Sequence, residues 1–113
     1  MKFRAVLIAA TILFSQLSHA GTTTAKIQRI FIAGDQELVY VYPVGGVVGG
    51  PACHGSNGSY YSFSINASKR PHSKLYYATL LAAKSQDKLV TMVGYAACLD
   101  QTVSETLMSI DFK

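Results

Sequence analysis

Two side chains suited to catalysis or metal binding are neighbours in the sequence: Cys53 and His54, within "GGPACHGSNGSYYSF" at residues 49–63. A thiolate beside an imidazole can act as a nucleophile or hold a zinc ion. Zinc asks for four ligands, or three and a water. Past residue 20 the chain offers Cys53, Cys98, His54 and His72, with no CxxC or HxxxH spacing. No metal and no cofactor is expected. A cysteine nucleophile asks for a free thiolate, and Cys98 is there to remove it by pairing. His54 then reads as an ordinary loop residue.

Other catalytic chemistry finds little support. His54 and His72 lie near Ser56 and Ser73, and Asp35 and Glu37 share a turn. A glycosidase needs two carboxylates facing each other across one cleft, whereas turn carboxylates are ordinarily solvated. The chain has no GxSxG or HExxH, and "GGVVGG" lacks the lysine and following helix of a phosphate loop. No catalytic residue is assigned.

Carbohydrate binding is a different matter. Sugar rings present apolar faces edged with hydroxyls, so a site needs aromatic platforms beside hydrogen-bonding groups. The chain has seven tyrosines and no tryptophan, and its loops carry Ser56, Asn57, Ser59 and Asn66. Tyr60, expected on the solvated face of a strand beside the Ser62 hydroxyl, is the first candidate ligand residue. Tyr42, at a strand end, and Tyr95, after Gly94, come next. The competing reading makes these rings amphipathic packing residues with their hydroxyls at the surface.

Residues 1–20 read as a secretory signal peptide. Lys2 and Arg4 precede the apolar run "AVLIAATILF", and Ser18 and Ala20 are small residues at the positions a signal peptidase reads. The run is too short and wrongly flanked for a stable membrane span. Residues 21–113 would then form a single domain, secreted or periplasmic and not embedded in the membrane. The formal net charge is +4 for the whole chain. Without Lys2 and Arg4 it falls to about +2, which gives no reason to expect a nucleic-acid partner. Export also places Cys53 and Cys98 where disulfides persist. Joining them closes a loop of roughly 46 residues, worth about 4 kcal/mol in chain-entropy terms.

The elements that must hold these residues follow from periodicity. "AKIQRIFI" (Ala25–Ile32) reads as a first strand, with Ile27, Arg29 and Phe31 alternating against Gln28, Ile30 and Ile32. "AGDQE" is a turn, with Gly34 and Asp35 supplying the permissive backbone. "LVYVYPV" (Leu38–Val44) completes a hairpin, and Pro43 should fall at a strand end or edge. Gly45–Ser59 is a long loop with six glycines. "YYSFSI" (Tyr60–Ile65) is a third strand, with Tyr61, Phe63 and Ile65 facing inward. A helix is predicted over Pro71–Ser85, with Pro71 in its first turn or Ser73 as N-cap. Leu89–Val93 is a fourth strand, bent at Gly94, and Ser104–Phe112 a fifth. "NGS" at Asn57 and "NAS" at Asn66 match the N-glycosylation triplet, which means something only in a host with that machinery.

This β-β-β-α-β-β order is that of the OB-fold, a five-stranded Greek-key barrel. The expectation is therefore a mainly β, OB-like barrel with one helix and one disulfide. An open sheet crossed by one helix would read the same way.

The stretch "YYSFSINASKRPHSKLYYATLLAAKSQDKLVTMVGYAAC" resembles small secreted bacterial proteins related to the B subunit of subtilase cytotoxin. The likeness is carried by "YYSF", "LLAAK", "LVTMVG" and Cys98, with Cys53 ahead of the strand. It covers roughly half of residues 21–113. For the toxin members it implies an OB-like fold and a ring of five subunits that binds cell-surface glycans. No sugar-contact residue of that family is carried over. The functional expectation is an exported, non-catalytic binding module, with a glycan as ligand and a homo-oligomer as one possible assembly. The alternative is a structural or protein-interaction subunit with an unassigned partner.

Overall fold

The computed structural model describes residues 19–55 and 58–112. The apolar run of the expected signal peptide lies outside them, as do Ser56 and Asn57.

Among the described residues there are six strands and one α-helix. In chain order they are β1 (Thr22–Ala25), β2 (Ile27–Ala33), β3 (Leu38–Pro43), β4 (Tyr61–Ser64), α1 (Ser73–Ser85), β5 (Val90–Gly94) and β6 (Leu107–Phe112). They make two three-stranded antiparallel sheets, ordered β1-β5-β6 and β2-β3-β4. Five strands in an OB-like Greek-key barrel were expected. The sixth strand is β1, which precedes the first expected strand (Ala25–Ile32): the chain leaves one sheet at Ala25 and joins the other at Ile27. The sheets do not close by continuous pairing. The one bridge between β4 and the segment before β6 is the isolated parallel contact Ser62–Thr106.

The register explains the alternation. In the β2-β3 hairpin Arg29 opposes Tyr42, Ile30 opposes Val41, Phe31 opposes Tyr40 and Ile32 opposes Val39. Cross-strand partners share a face, so Val39 and Val41 turn inward while Phe31, Tyr40 and Tyr42 turn outward. A register shift between Ile27 and Arg29 puts Ile27 in the core rather than beside Arg29. Pro43 ends β3 as anticipated. The hairpin turn is a 3-10 turn over Gly34–Gln36, and its left-handed residue is Glu37 at φ 55°, not Gly34 or Asp35.

Helix α1 begins at Ser73, two residues later than expected. His72 occupies the N-cap position without a side-chain cap, so neither Pro71 nor Ser73 plays the role foreseen for it. Leu80 and Ala83 are buried and join Val39, Val41, Tyr61, Phe63, Val90, Met92 and Leu107 in one core shared by both sheets. Phe63 meets Tyr76 of α1 edge to face at 5.5 Å. Among the described residues no helix is long and apolar enough to cross a membrane.

Strand β4 is buried on both faces. Its outer face and edge are covered by residues 99–106. The Ser62 N–H donates to the Glu105 carbonyl at 3.1 Å, the Ser62 and Ser104 hydroxyls pair at 2.6 Å, and the Ser64 N–H donates to Asp100 at 2.8 Å. Asp100 also receives the Arg70 guanidinium in a two-pronged contact of 2.8 and 2.9 Å. Burial alone would raise the Asp100 carboxyl, but the Arg70 and Ser64 hydrogen bonds and the Arg70 and Lys69 charges hold it below the usual range. A carboxyl lowered on folding adds stability above its unfolded pKa of about 3.9, and that stability is lost as pH falls through the lower folded value. Acid unfolding monitored by circular dichroism should therefore be steeper below pH ~4 in wild type than in Asp100→Asn, which starts less stable at neutral pH.

The Cys53–Cys98 disulfide is present, with the Cα atoms 6.2 Å apart across a separation of 45 residues. It ties the glycine-rich loop after β3 to the turn after β5. Gly94 bends β5 as expected, at a register shift between Val93 and Gly94.

Candidate functional site

The outer face of the β2-β3-β4 sheet carries a continuous aromatic strip. Phe31 stacks on Tyr40 with ring centroids 5.6 Å apart. Tyr60, just before β4, packs against both Tyr40 and Tyr42 at 5.0 Å each. The Arg29 guanidinium lies over Phe31 at 5.0 Å and over Tyr42 at 5.1 Å, within the range of a cation–π contact. The strand period creates the strip: Arg29 and Phe31 are two apart on β2, Tyr40 and Tyr42 two apart on β3, and the hairpin register sets the pairs side by side.

These rings are not core. Phe31 is 39% exposed, and Tyr40, Tyr42 and Tyr60 are half-buried. Polar groups border them. The Tyr40 hydroxyl donates to Gln36 Oε1 at 2.8 Å, and Gln101 Nε2 donates to the Tyr60 hydroxyl at 3.4 Å. At the Tyr42 end the strip runs into a groove of about 430 Å³ lined by Gln28, Tyr42, Pro43, Val47 and Ser59 among others. Gly45 and Gly46, at φ 85° and 82°, form the groove's wall. These are left-handed positions, which glycine adopts without a Cβ penalty. Partly exposed rings, backed by a sheet and edged with amide and hydroxyl groups, can pack against a flat or saucer-shaped polar ligand.

The four expected ligand residues separate. Tyr60 and Tyr42 meet in the strip. Ser62 does share the outer face with Tyr60, but it is fully buried under residues 99–106 and bonded to Ser104. It is a corrected assignment, because the covering loop could not be read from strand alternation. Tyr95 is 39% exposed and sits under the Arg70 guanidinium at 5.0 Å. It lines a small cleft with Arg70, Pro71, His72 and Tyr76, a cluster separate from the Tyr60 contacts. Arg29, Phe31 and Tyr40 were not singled out, although their spacing and the hairpin register carried the signal. Asn66 is exposed, and its side chain accepts the Ser68 N–H at 2.9 Å.

His54 is not the ordinary loop residue expected. Its side chain is 8% exposed. Nδ1 accepts the Glu105 N–H at 3.3 Å, and Nε2 lies 3.6 Å from Glu105 Oε1. The ring thus faces a buried carboxylate rather than the solvent. Both cysteines are in the disulfide, and no group of three or more metal-ligating side chains occurs among the described residues.

No family model, no curated protein and no solved structure matches the chain.

Proposed function

We propose that this chain is an exported, non-catalytic binding module whose aromatic strip takes carbohydrate. The observation that carries the reading is the contact set Phe31–Tyr40–Tyr60–Tyr42, partly exposed and continuous with the groove beside Tyr42. Aromatic faces match the C–H faces of a pyranose, while Gln36, Gln101 and Arg29 supply hydrogen-bonding groups at the rim. Residues 1–20 act as the leader that takes the chain out of the cytoplasm, and the disulfide suits a secreted or periplasmic setting.

The architecture is best regarded as an open relative of the OB barrel. In that reading β1 and β2 are one long strand bent at Lys26, serving both sheets. Their pairings with β5 and β3, together with the parallel Ser62–Thr106 bridge, are those that a five-stranded barrel would use to close. The resemblance to subtilase cytotoxin B-type proteins points the same way, toward a surface glycan and a five-membered ring. A second reading, a protein-interaction or assembly subunit, is favoured by one feature. Strand β2 is a sheet edge with Phe31 and Ile32 exposed by 39% and 48%. Light scattering distinguishes a ring from a monomer.

The test is a glycan array probed with the protein lacking residues 1–20. The proposal expects binding to a restricted set of glycans. Tyr60→Ala should weaken that binding at least about 30-fold, the effect of losing a central aromatic contact worth about 2 kcal/mol, while the circular dichroism spectrum persists. Absence of binding to every glycan, or equal binding by the variant, would overturn it.

A further inference from the structure

Glu105 is a charged side chain with no solvent: its exposure is 0%. A buried carboxylate is costly unless it is paired and fully hydrogen-bonded. Its pairing here is incomplete. The Ala96 N–H donates to Oε2 at 2.9 Å. The Gly21 nitrogen lies 3.0 Å from Oε1 and 3.1 Å from Oε2, astride both oxygens. As a peptide nitrogen, it has one hydrogen to offer them.

His54 is the one ion-pair partner of Glu105 among the described residues, and it does not supply a full positive charge. Because Nδ1 accepts the Glu105 N–H, the ring carries its proton on Nε2 and is neutral. That Nε2 is buried and makes no hydrogen bond. The Tyr61 phenol is close enough to feel the carboxylate. Burial first, and the Glu105 charge in addition, push it up to about 12 against the Thr23 hydrogen bond. The pocket therefore holds a carboxylate, two polar side chains and, among the described residues, no cation.

Gly21 is the residue that follows the expected cleavage position. His19 and Ala20 are exposed and Gly21 is buried, so the chain enters the interior at that residue. The Gly94 N–H donates to the Gly21 carbonyl at 3.0 Å, and the Thr22 N–H donates to the Val48 carbonyl at 3.1 Å. A Cβ on residue 21 would stand 2.6 Å from Glu105 Oε1, 2.9 Å from Val47 and 3.2 Å from the Tyr61 hydroxyl. Only glycine fits there.

We propose that Glu105 is a buried receptor for the α-ammonium group of Gly21, formed when the leader is removed. The proposal rests on the leader reading given above. Hydrolysis of the Ala20–Gly21 peptide bond by a signal peptidase consumes one water. Ala20 leaves as a carboxylate, and the Gly21 nitrogen gains protons to become an ammonium. That nitrogen then has three donors where it had one. Two reach the Glu105 oxygens it already straddles, and the pocket gains the positive charge it lacks. Processing thereby becomes a step in folding: the cleaved chain locks its first strand, β1, onto β5 and the segment around Glu105.

Two measurements separate the parts. Intact mass of the protein recovered from outside the cytoplasm reads the cleavage point. A chain beginning at Gly21 is expected, and any other start overturns both the leader placement and the receptor. Thermal unfolding then compares oxidised protein beginning at Gly21 with protein beginning at Ala20, each released from a fusion with a defined end. The Gly21 form should melt about 10 °C higher or more, as expected for a buried ion pair in a domain of this size. In Glu105→Gln that difference should vanish. Equal melting of the two wild-type forms overturns the receptor while leaving the leader standing. Should Glu105→Gln fail to fold, acylation of the wild-type protein decides. The Gly21 amine should react at least about tenfold more slowly in the native state than in denaturant, and equal rates overturn the proposal.

Discussion

Reduction of the Cys53–Cys98 bond is expected to lower the stability of the domain by about 2–5 kcal/mol. The bridge spans 45 residues, enclosing β4, α1 and β5, and the unfolded chain regains that freedom when the bond is cut. A chain-entropy estimate for this span is about 4 kcal/mol, a large part of the 5–15 kcal/mol that separates folded from unfolded states in typical domains. The bond also fixes the loop that carries His54 against the strand end that carries Gly94. Urea unfolding of the oxidised protein and of the Cys53→Ser/Cys98→Ser double variant measures the effect. The midpoint should fall markedly with little change in slope. Coincident midpoints would mean that the core alone holds the domain.

Removing the Phe63 ring should cost a similar amount, about 3–5 kcal/mol for Phe63→Ala. Phe63 is 0% exposed, pairs with Val39 across β3 and β4, and packs edge to face on Tyr76. The cavity left would lie where the sheet and helix meet, between elements too constrained by their hydrogen bonds to collapse fully. Tyr60, three positions earlier on the opposite face, makes the informative contrast. Its ring packs at a tilt against Tyr40 and Tyr42 but stays half-buried, so Tyr60→Ala should cost no more than about 1 kcal/mol of stability. The stability contact would thus lie within β4 and the ligand contact at Tyr60, just before the strand. A denaturant series on the two variants checks this, and equal losses would contradict it.

The sequence carried much of this arrangement, but unevenly. Period-two alternation placed Tyr61 and Phe63 inward, and Ile65 with them, although Ile65 is exposed, and the helical spacing of Leu80 and Ala83 put them on the packed face of α1. The disulfide followed from two cysteines and the expectation of export. The change of sheet at Lys26 was hidden, because Thr22–Ala25 is polar and small and its pairing with β5 spans some 65 residues of sequence. The burial of Ser62 was hidden for a related reason. Strand alternation describes a sheet with one free face, whereas residues 99–106 lie across that face and supply Ser104 and Asp100 as polar partners. His54 and Glu105 are distant in sequence and meet only because the disulfide loop folds over the end of β5. The aromatic strip was legible in part: Tyr42 and Tyr60 could be found from tyrosine placement, whereas Phe31, Tyr40 and Arg29 needed the hairpin register.

The ligand surface proposed is the row of outward rings on β2 and β3 together with Tyr60, just before β4. Its most direct test is an NMR titration of the ring-labelled protein with the tightest-binding glycan. Shift changes should concentrate in Phe31, Tyr40, Tyr42 and Tyr60, leaving Tyr76, Tyr77 and Tyr95 in place. Saturable changes centred on Tyr95 and Tyr76, with the strip unmoved, would contradict the account.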